Sequence, residues 1–345
     1  MANRNRFDAE TEVAICEQYR INNGTTLCED CHKDAHRRTN FGFRKVVRIE
    51  RGPSEPITNF VCLTTALCHQ YPEVYWPVRI NLEASGVQVQ TMRCNNKWAR
   101  DFMPISIEDR LIRFQYKTIG YEKYPQLDVS NEPWTGVFDK PVYVYPIILD
   151  GGNLVYGFGK AIITEKVIWD NGKGVVADLE KILGCKVVII PVEPGDDLGH
   201  ADGIVKFIDA GNVLINDYSQ IARKDKDYDW TAYQKALECN LHLHGLECHK
   251  IVNAYDQWDW NMSEKEFRKS YEFADAYNPA VGYYINYTRV KDTILLPAFR
   301  LPQDAEAMQT IKRLFPGCNV VCIDCSRLAM EGGCVNCVTS GPYSS

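Results

Sequence analysis

Three absences narrow the classes of protein to which this 345-residue chain can belong. It has no excess of basic residues, because 39 Lys and Arg against 45 Asp and Glu give a net charge of -6 and a pI near 5.7. Protein surfaces that bind nucleic acids or anionic membranes are usually basic, so neither partner is expected, whereas a small cationic ligand is compatible with this net charge. No apolar run is long enough to span a bilayer, and no apolar stretch follows the arginines of the first seven residues. We therefore predict a soluble, cytoplasmic protein.

Cysteine, in contrast, is abundant, with fourteen in the chain. Three pairs have CxxC spacing: Cys28/Cys31, Cys322/Cys325 and Cys334/Cys337. A disulfide framework is typical of small exported proteins, and the length of this chain does not suggest one. The run from Cys28 to His32 has the spacing of a haem attachment site, and with His36 it offers zinc ligands. Reduced, partly buried thiols are the interpretation that we favour.

Paired β-rich runs, separated by helical patterns, make up the chain from Phe43 onward, whereas residues 1–42 resemble a helical, Cys/His-containing extension. The predicted hairpins join 104–108 with 111–117, 153–156 with 161–165, 204–209 with 213–216, and 283–287 with 293–297. Helices are predicted over 77–84, 175–183, 230–241 and 303–315. A last run, after Gly333, needs a partner, and 46–50 or 58–63 would supply it by closing a ring.

This recurrence of one supersecondary unit predicts a single α/β domain over residues 43–345 with a radial, propeller-like architecture. The alternative is an open α/β sheet, whose mark would be parallel crossovers. Polar motifs stand directly before the hairpins: Trp98-Ala-Arg100-Asp101, Asp150-Gly-Gly-Asn153, His200-Ala-Asp202, Asn286 and Cys337. Around an axis, equivalent positions point to one end, so five segments would converge on one pocket.

His200 and Asp202 are two residues apart, which places both on one face of a predicted strand. Histidine titrates near neutral pH, while a carboxylate accepts two N–H bonds from a planar guanidinium. Taken singly, each motif has an ordinary explanation, such as a surface His/Asp pair, a turn carboxylate at Asp101 or a tight turn after Asp150. Their place in the hairpin series is what favours a shared site.

Cys337 is one thiol among fourteen, and a cysteine is most often a small buried hydrophobe. Gly332 and Gly333 precede it and would leave space for a ligand. A thiol becomes a strong nucleophile only as the thiolate, which positive charge from His200 or from a bound cation would favour. We therefore predict that Cys337 is a nucleophile.

The motifs, in order, are Trp98-Ala-Arg-Asp101 with Pro104, Gly199-His-Ala-Asp202, Asn286, Pro302-Gln-Asp-Ala305 before a helix ending at Phe315-Pro316, and Gly332-Gly-x-x-x-Cys337-x-Thr339. Together they resemble the agmatine deiminases and the bacterial-type peptidyl-arginine deiminases of the guanidine-modifying superfamily. The resemblance extends from about residue 56 to residue 343. It implies a five-bladed α/β propeller, the pentein fold, with a guanidinium in its central channel and no metal or organic cofactor.

Carried onto this chain, the resemblance implies that Cys337 is the nucleophile and His200 the general acid/base of a deiminase. Asp101 and Asp202 would be the guanidinium-binding carboxylates. The remaining substrate-binding candidates are Trp98, Arg100, Asp150, Asn153 and Asn286. The expected reaction converts a guanidinium and water into a ureido product and ammonia through a covalent amidino-cysteine.

The chain departs from the agmatine deiminases at four positions: Asp150 for Glu, Leu198 for Asp, Gly203 for Asn, and Asn336 for His. The substrate is therefore open between agmatine, free arginine and an arginine-containing peptide. An amidinotransferase with the same residues and a non-catalytic guanidinium-binding protein are the alternatives. The oligomeric state is also open, a homo-oligomer included.

Two other clusters have ordinary explanations. Trp258 and Trp260 are interpreted as packing residues rather than as a lid over the channel. A polar helix end, rather than a metal site, is the favoured interpretation of His242, His244, Cys248 and His249.

Overall fold

The computed structural model describes residues 60–107, 110–117, 127, 129, 133–135, 137–138, 141–221, 227–255 and 279–341. The predicted extension over residues 1–42, with its Cys28/Cys31/His32/His36 cluster, lies outside these ranges, as do Trp258 and Trp260. The boundary between extension and domain stays a prediction. Within the described ranges, no helix combines the length and the apolar character that crossing a bilayer requires.

Five small sheets, each built from consecutive strands, make up the described strand structure. The first sheet pairs β1 (Phe60–Thr64) with β2 (Gln88–Met92). The other four are three-stranded: β3 (Ile105–Ile107), β4 (Arg110–Gln115) and β5 (Val142–Ile148); β6 (Val155–Gly157), β7 (Lys160–Thr164) and β8 (Lys186–Ile190); β9 (Val205–Phe207), β10 (Asn212–Asp217) and β11 (Glu247–Val252); β12 (Thr288–Val290), β13 (Thr293–Ala298) and β14 (Asn319–Asp324).

All four three-stranded sheets repeat one pairing scheme. The first strand runs antiparallel to the second, as expected for a short hairpin, and the second runs parallel to the third. The described helices are α1 (Thr65–Gln70), α2 (Pro72–Ala84), α3 (Ala99–Phe102), α4 (Lys166–Asn171), α5 (Val175–Leu183), α6 (Trp230–Leu243), α7 (Gln303–Leu314) and α8 (Val335–Val338). Most of them supply the crossover between parallel strands of one unit.

Parallel crossovers were the expected mark of an open α/β sheet, and they do occur, but only inside a unit. Among the described strands, no ladder joins one unit to the next. Neighbouring units instead touch through the segments around their first strands and through crossover helices, which pack against the third strand of the preceding unit, as α6 does against β8 and α7 against β11. Closure comes from an antiparallel bridge: Cys62 N–H donates to the carbonyl of Ser340 at 2.6 Å, and Ser340 N–H to that of Cys62 at 3.2 Å. The five-bladed α/β propeller is therefore confirmed, and 58–63 is the predicted partner that closes it.

The helices form where apolar residues recur at helical spacing. In α5 the buried residues Val175, Leu179 and Leu183 are four apart, so they lie on one face, and each buried aliphatic side chain contributes roughly 1.5–3 kcal/mol. Gly184 ends the helix at φ 66°, a left-handed conformation that glycine adopts without strain.

Four local predictions were wrong. The helix predicted over 77–84 begins already at Pro72 and has Pro77 in its interior. The other three concern segments that enter the site. The strand predicted over 283–287 begins only at Thr288, after a turn. The segment that carries His200 is not a strand, because Ala201–Gly203 forms a 3-10 turn. The run after Gly333 is the short helix α8 instead of a strand, and only Ser340 pairs with β1. In each of these three cases a turn or a short helix replaces the predicted strand in a segment that carries a candidate site residue.

Candidate active site

Each unit places a polar side chain directly before its first strand. Asp101 lies on α3 before β3, Asp150 precedes the 3-10 turn Gly151–Asn153, and His200 precedes the turn Ala201–Gly203. Asn286 precedes β12, and Cys337 lies on α8 beside the closing bridge. Because the units surround one axis, these five positions converge at one end of it, as the sequence predicts.

Two carboxylates flank the imidazole of His200. Its Nε2 is 3.4 Å from Oδ2 of Asp150, and its Nδ1 is 3.8 Å from Oδ1 of Asp101. Gly152 makes this arrangement possible, since a Cβ at this position would lie 2.5 Å from His200 Nδ1 and 2.8 Å from Asp101 Oδ1. The backbone of Gly152 therefore forms one wall of the space in which these two groups meet.

Electrostatics favour a protonated histidine in this site. Burial alone lowers the pKa of His200, but the carboxylates of Asp101 and Asp150 outweigh it and raise the pKa to about 10. Burial raises the pKa of Asp101 to about 7, with the nearby histidine acting in the opposite direction. Oδ1 of Asp101 is buried and has no hydrogen-bond partner among the described residues. A buried carboxylate oxygen without a donor favours a ligand that brings N–H groups.

The second guanidinium-binding candidate, Asp202, is 2% exposed. Its Oδ2 accepts a hydrogen bond of 2.6 Å from the side-chain amide of Asn336. Arg100 Nε donates to the backbone carbonyl of Asn336 at 3.4 Å, and its guanidinium interacts favourably with the Asp202 charge. The position at which the chain departs from the agmatine deiminases, Asn336, thus holds one of the predicted substrate carboxylates.

Cys337 is 7% exposed, and its thiol donates a hydrogen bond of 3.4 Å to Oδ1 of Asn286. Burial raises the pKa of this thiol well above its ordinary value, and the charges of Asp202 and Asp101 raise it further. Burial and these two carboxylates therefore favour the protonated form of the sulfur. A cation placed between the thiol and the carboxylates would act in the opposite direction.

The other two substrate-binding candidates have packing contacts. Trp98 is 6% exposed, and its ring lies against Gly333, where a Cβ would approach Cζ3 to 2.4 Å. Asn153 is buried, and its Oδ1 accepts a hydrogen bond of 2.9 Å from the Thr164 backbone N–H. The structure thus places both beside the site and engages them in holding its segments, while their contact with a substrate stays a prediction.

A buried ion pair links the segments that carry Asp101 and Cys337. Lys97 Nζ lies 2.5 Å from Oε2 of Glu331, with side chains 2% and 6% exposed, and the Tyr71 hydroxyl donates to the same carboxylate. Glu331 directly precedes the glycines that lead to Cys337. Asp101 and Cys337 are therefore connected to a common buried support.

Sequence reasoning missed three residues that shape the site. Asp196 accepts hydrogen bonds of 2.9 Å from the backbone N–H groups of Leu198 and Gly199, which fixes the loop before His200. Lys206 is a buried lysine in β9. The third, Asn336, was noted only as a departure from a family pattern. Of the three, only Lys206 had a signal in the sequence, because it is a lysine between two apolar residues of a predicted strand, Val205 and Phe207.

Outside this site, the described residues contain no group of three or more His, Cys, Asp or Glu arranged to hold a metal ion. The eleven cysteines they include are all free thiols. In the histidine cluster at the end of α6, His249 Nε2 is 2.9 Å from Oδ1 of Asn212, and His242 Nε2 is 3.7 Å from Glu247. These contacts fit the interpretation of a polar helix end.

Five blades around a pocket of carboxylates, a histidine and a thiol define an α/β propeller of the guanidine-modifying class. Over residues 53–341 the chain matches the family model of the Porphyromonas-type peptidyl-arginine deiminases, and it belongs to that family. It is thereby a member of a family of deiminases, enzymes that hydrolyse guanidino groups.

Named relatives and solved structures agree with this assignment. The chain is 24% identical over 274 residues to a "Putative agmatine deiminase" of Selenomonas ruminantium, covering 71% of this chain and 73% of that protein. Among solved structures, a C. jejuni agmatine deiminase shares the fold with a TM-score of 0.61 and 15% identity, covering 85% of this chain and 96% of the other. An Enterococcus faecalis agmatine deiminase has a TM-score of 0.62 and 18% identity, with coverages of 84% and 94%.

Proposed function

We propose that this protein deiminates the guanidinium group of agmatine or of an arginine derivative through a covalent amidino-cysteine on Cys337. The observation that carries the proposal is the buried Oδ1 of Asp101, which lies 3.8 Å from His200 Nδ1 and has no hydrogen-bond partner in the described part of the chain. An acceptor of this kind needs a donor, and a planar guanidinium can donate to two carboxylates at once.

Binding of the cation would also prepare the nucleophile. The two carboxylates that raise the pKa of the thiol are the groups that a guanidinium would neutralise, and the cation itself stabilises the thiolate. The proton of Cys337 passes to solvent water as the substrate enters, because His200 is already protonated, and the resulting thiolate faces the electrophilic carbon. Thiolate formation is thus coupled to occupancy of the site.

His200 supplies the proton movements. The thiolate attacks the guanidinium carbon to give a tetrahedral adduct, and the C–N bond breaks as protonated His200 gives its proton to the departing ammonia. The neutral imidazole then takes a proton from water as the water attacks the amidino carbon. The C–S bond breaks, the ureido product leaves, and Cys337 returns as the thiolate. Asp150, at 3.4 Å from Nε2, holds the ring throughout.

The experiment that tests the proposal measures ammonia release from agmatine, free arginine, and N-terminal, internal and C-terminal peptidyl arginine. Cys337→Ser is compared with Cys334→Ser, a matched variant of another buried thiol three residues away. We expect the first variant to lose activity and the second to keep it. An unchanged rate in Cys337→Ser would rule out the nucleophile, and a new guanidino compound in place of ammonia would indicate amidino transfer.

A pair of affinity reagents tests the coupling between charge and thiol reactivity. Chloroacetamidine is a cation, and chloroacetamide is its neutral analogue of almost the same size. We expect the cation to alkylate Cys337 far faster at pH 7, because only the cation offsets the carboxylates. Equal rates for the two reagents, followed on the Cys337 peptide by mass spectrometry, would contradict a cation site beside this thiol.

A further inference from the structure

Lys206 is a buried cation that the proposed chemistry does not yet use. It lies in the middle of β9 between the buried residues Val205 and Phe207, opposite Leu214 of β10, and is 9% exposed. Lysine is seldom buried to this extent unless a charge compensates it. No hydrogen-bond or ion-pair partner of its ammonium is found in the described part of the chain.

The surroundings of Lys206 belong to the candidate active site. Its Nζ lies 5.8 Å from the centre of the Tyr287 ring, and Tyr287 directly follows Asn286, which accepts the hydrogen bond of the Cys337 thiol. The charged and titratable groups that act on Lys206 are Asp202 and Cys337, which favour its charge, and Arg100, which opposes it. The Lys206 ammonium therefore lies against the segment that holds the thiol and within electrostatic reach of Cys337 and Asp202.

We propose that Lys206 is a positioning residue. Its ammonium stabilises the Cys337 thiolate and partly offsets the negative charge of Asp202 in the site. This inference rests on the proposed function of Cys337 as nucleophile. Two consequences of opposite sign follow from Coulomb's law. Removal of the ammonium makes the thiol harder to ionise, and it also makes the site more negative, so that a guanidinium binds more tightly.

Burial accounts for a lysine that is only marginally charged. It lowers the pKa of Lys206 to about 8, against the effect of Asp202, so the ammonium form is present at neutral pH and is lost in mildly alkaline solution. The negative charges of Asp202 and Asp101 raise the pKa of the Cys337 thiol. The cations Lys206 and Arg100 interact favourably with the thiolate. Like Asp101, whose pKa is about 7, Lys206 therefore changes its charge between neutral and mildly alkaline pH.

The test compares Lys206→Met, which keeps length without charge, with Lys206→Arg, which keeps charge. Lys186→Met removes a lysine whose side chain is 76% exposed and serves as the control. Alkylation of Cys337 by neutral chloroacetamide reports thiolate formation, and protection by methylguanidinium reports affinity for the cation. For Lys206→Met we expect about tenfold slower alkylation for each unit by which the thiol pKa rises, together with protection at lower methylguanidinium concentrations. Lys206→Arg and the control should resemble the parent.

The opposite changes in reactivity and affinity separate this role from general damage, which would weaken both. Parental alkylation rates in Lys206→Met would overturn the inference, as would equal losses in Lys206→Met and Lys206→Arg. If Lys206→Met does not fold, Lys206→Gln takes its place under the same criteria. Because chloroacetamide needs no deiminase activity, an unchanged rate refutes the role of Lys206 alone, whereas ammonia release by Cys337→Ser refutes the proposed function.

Discussion

Gly152→Ala is the substitution for which the structure gives the most direct expectation. The new Cβ would lie 2.5 Å from His200 Nδ1 and 2.8 Å from Asp101 Oδ1, whereas ordinary contacts begin at 3.4 Å. Moving the imidazole from 2.5 to 3.4 Å requires a displacement of about 0.9 Å, and a misplacement of this size costs on the order of 10²-fold in rate. We therefore expect kcat to fall about a hundredfold.

The matched control is Gly203→Ala, in the neighbouring 3-10 turn, where a Cβ meets nothing within 4 Å. Both variants are assayed by ammonia release with the substrate that the parent deiminates fastest, and thermal unfolding checks that both are folded. Gly203→Ala should retain parental activity. A Gly152→Ala variant with kcat within twofold of the parent would show that His200 does not need the space above this glycine, and the proposed acid/base role would lose its geometric basis.

Three further predictions concern the supports of the site. Asn336→Ala removes the 2.6 Å hydrogen bond to Asp202. Because a hydrogen bond to a charged group contributes about 1.5–3 kcal/mol, KM should rise at least tenfold in steady-state kinetics. An unchanged KM would contradict a supporting role for Asn336. Lys97→Met leaves Glu331 buried and unpaired, so denaturant titration should show a loss of about 3–5 kcal/mol, most of it recovered when Glu331→Leu is added. The buried carboxylate of Glu193 supports the segment before Asn286, because it accepts hydrogen bonds from the hydroxyls of Tyr218 and Tyr283. Burial raises the pKa of Glu193 from 4.5 to about 7, so the folded state retains this proton longer than the unfolded state does. The contribution of Glu193 to stability is then present below pH 4.5 and declines as pH rises through about 7; Glu193→Gln should flatten this part of the stability profile, and an unaltered profile would contradict the assignment.

The parts of the fold that the sequence predicts correctly are those determined by local patterns. The spacing of apolar residues gave α5 its bounds, and the turn residues between β-rich runs indicated the first three hairpins. The series of polar motifs before successive hairpins indicated a common pocket, because a repeated unit places equivalent positions at one end of an axis. None of these inferences needed a contact between distant residues.

What the sequence left out depends on tertiary geometry. Asn336 and Asp202 are 134 residues apart, and only the closed ring brings the amide to the carboxylate. The pocket also replaces regular strands by short turns at Ala201–Gly203 and Gly151–Asn153, since an extended ladder would direct those side chains away from the axis. The burial of Lys206 beside the site is likewise a result of packing between blades, and the sequence alone does not place it there.

The bridge between Cys62 and Ser340 implies that activity depends on a closed ring. Cys337 lies three residues from Ser340, whereas the carboxylates and the histidine belong to other blades. Opening this bridge, together with the contacts of Asn336 with Asp202 and of Lys97 with Glu331, would carry the sulfur away from the carboxylates and the histidine while all five sheets keep their own hydrogen bonds. Catalysis should therefore report ring closure. In a denaturant series, we expect ammonia release to be lost at lower denaturant concentrations than the β-strand signal in circular dichroism.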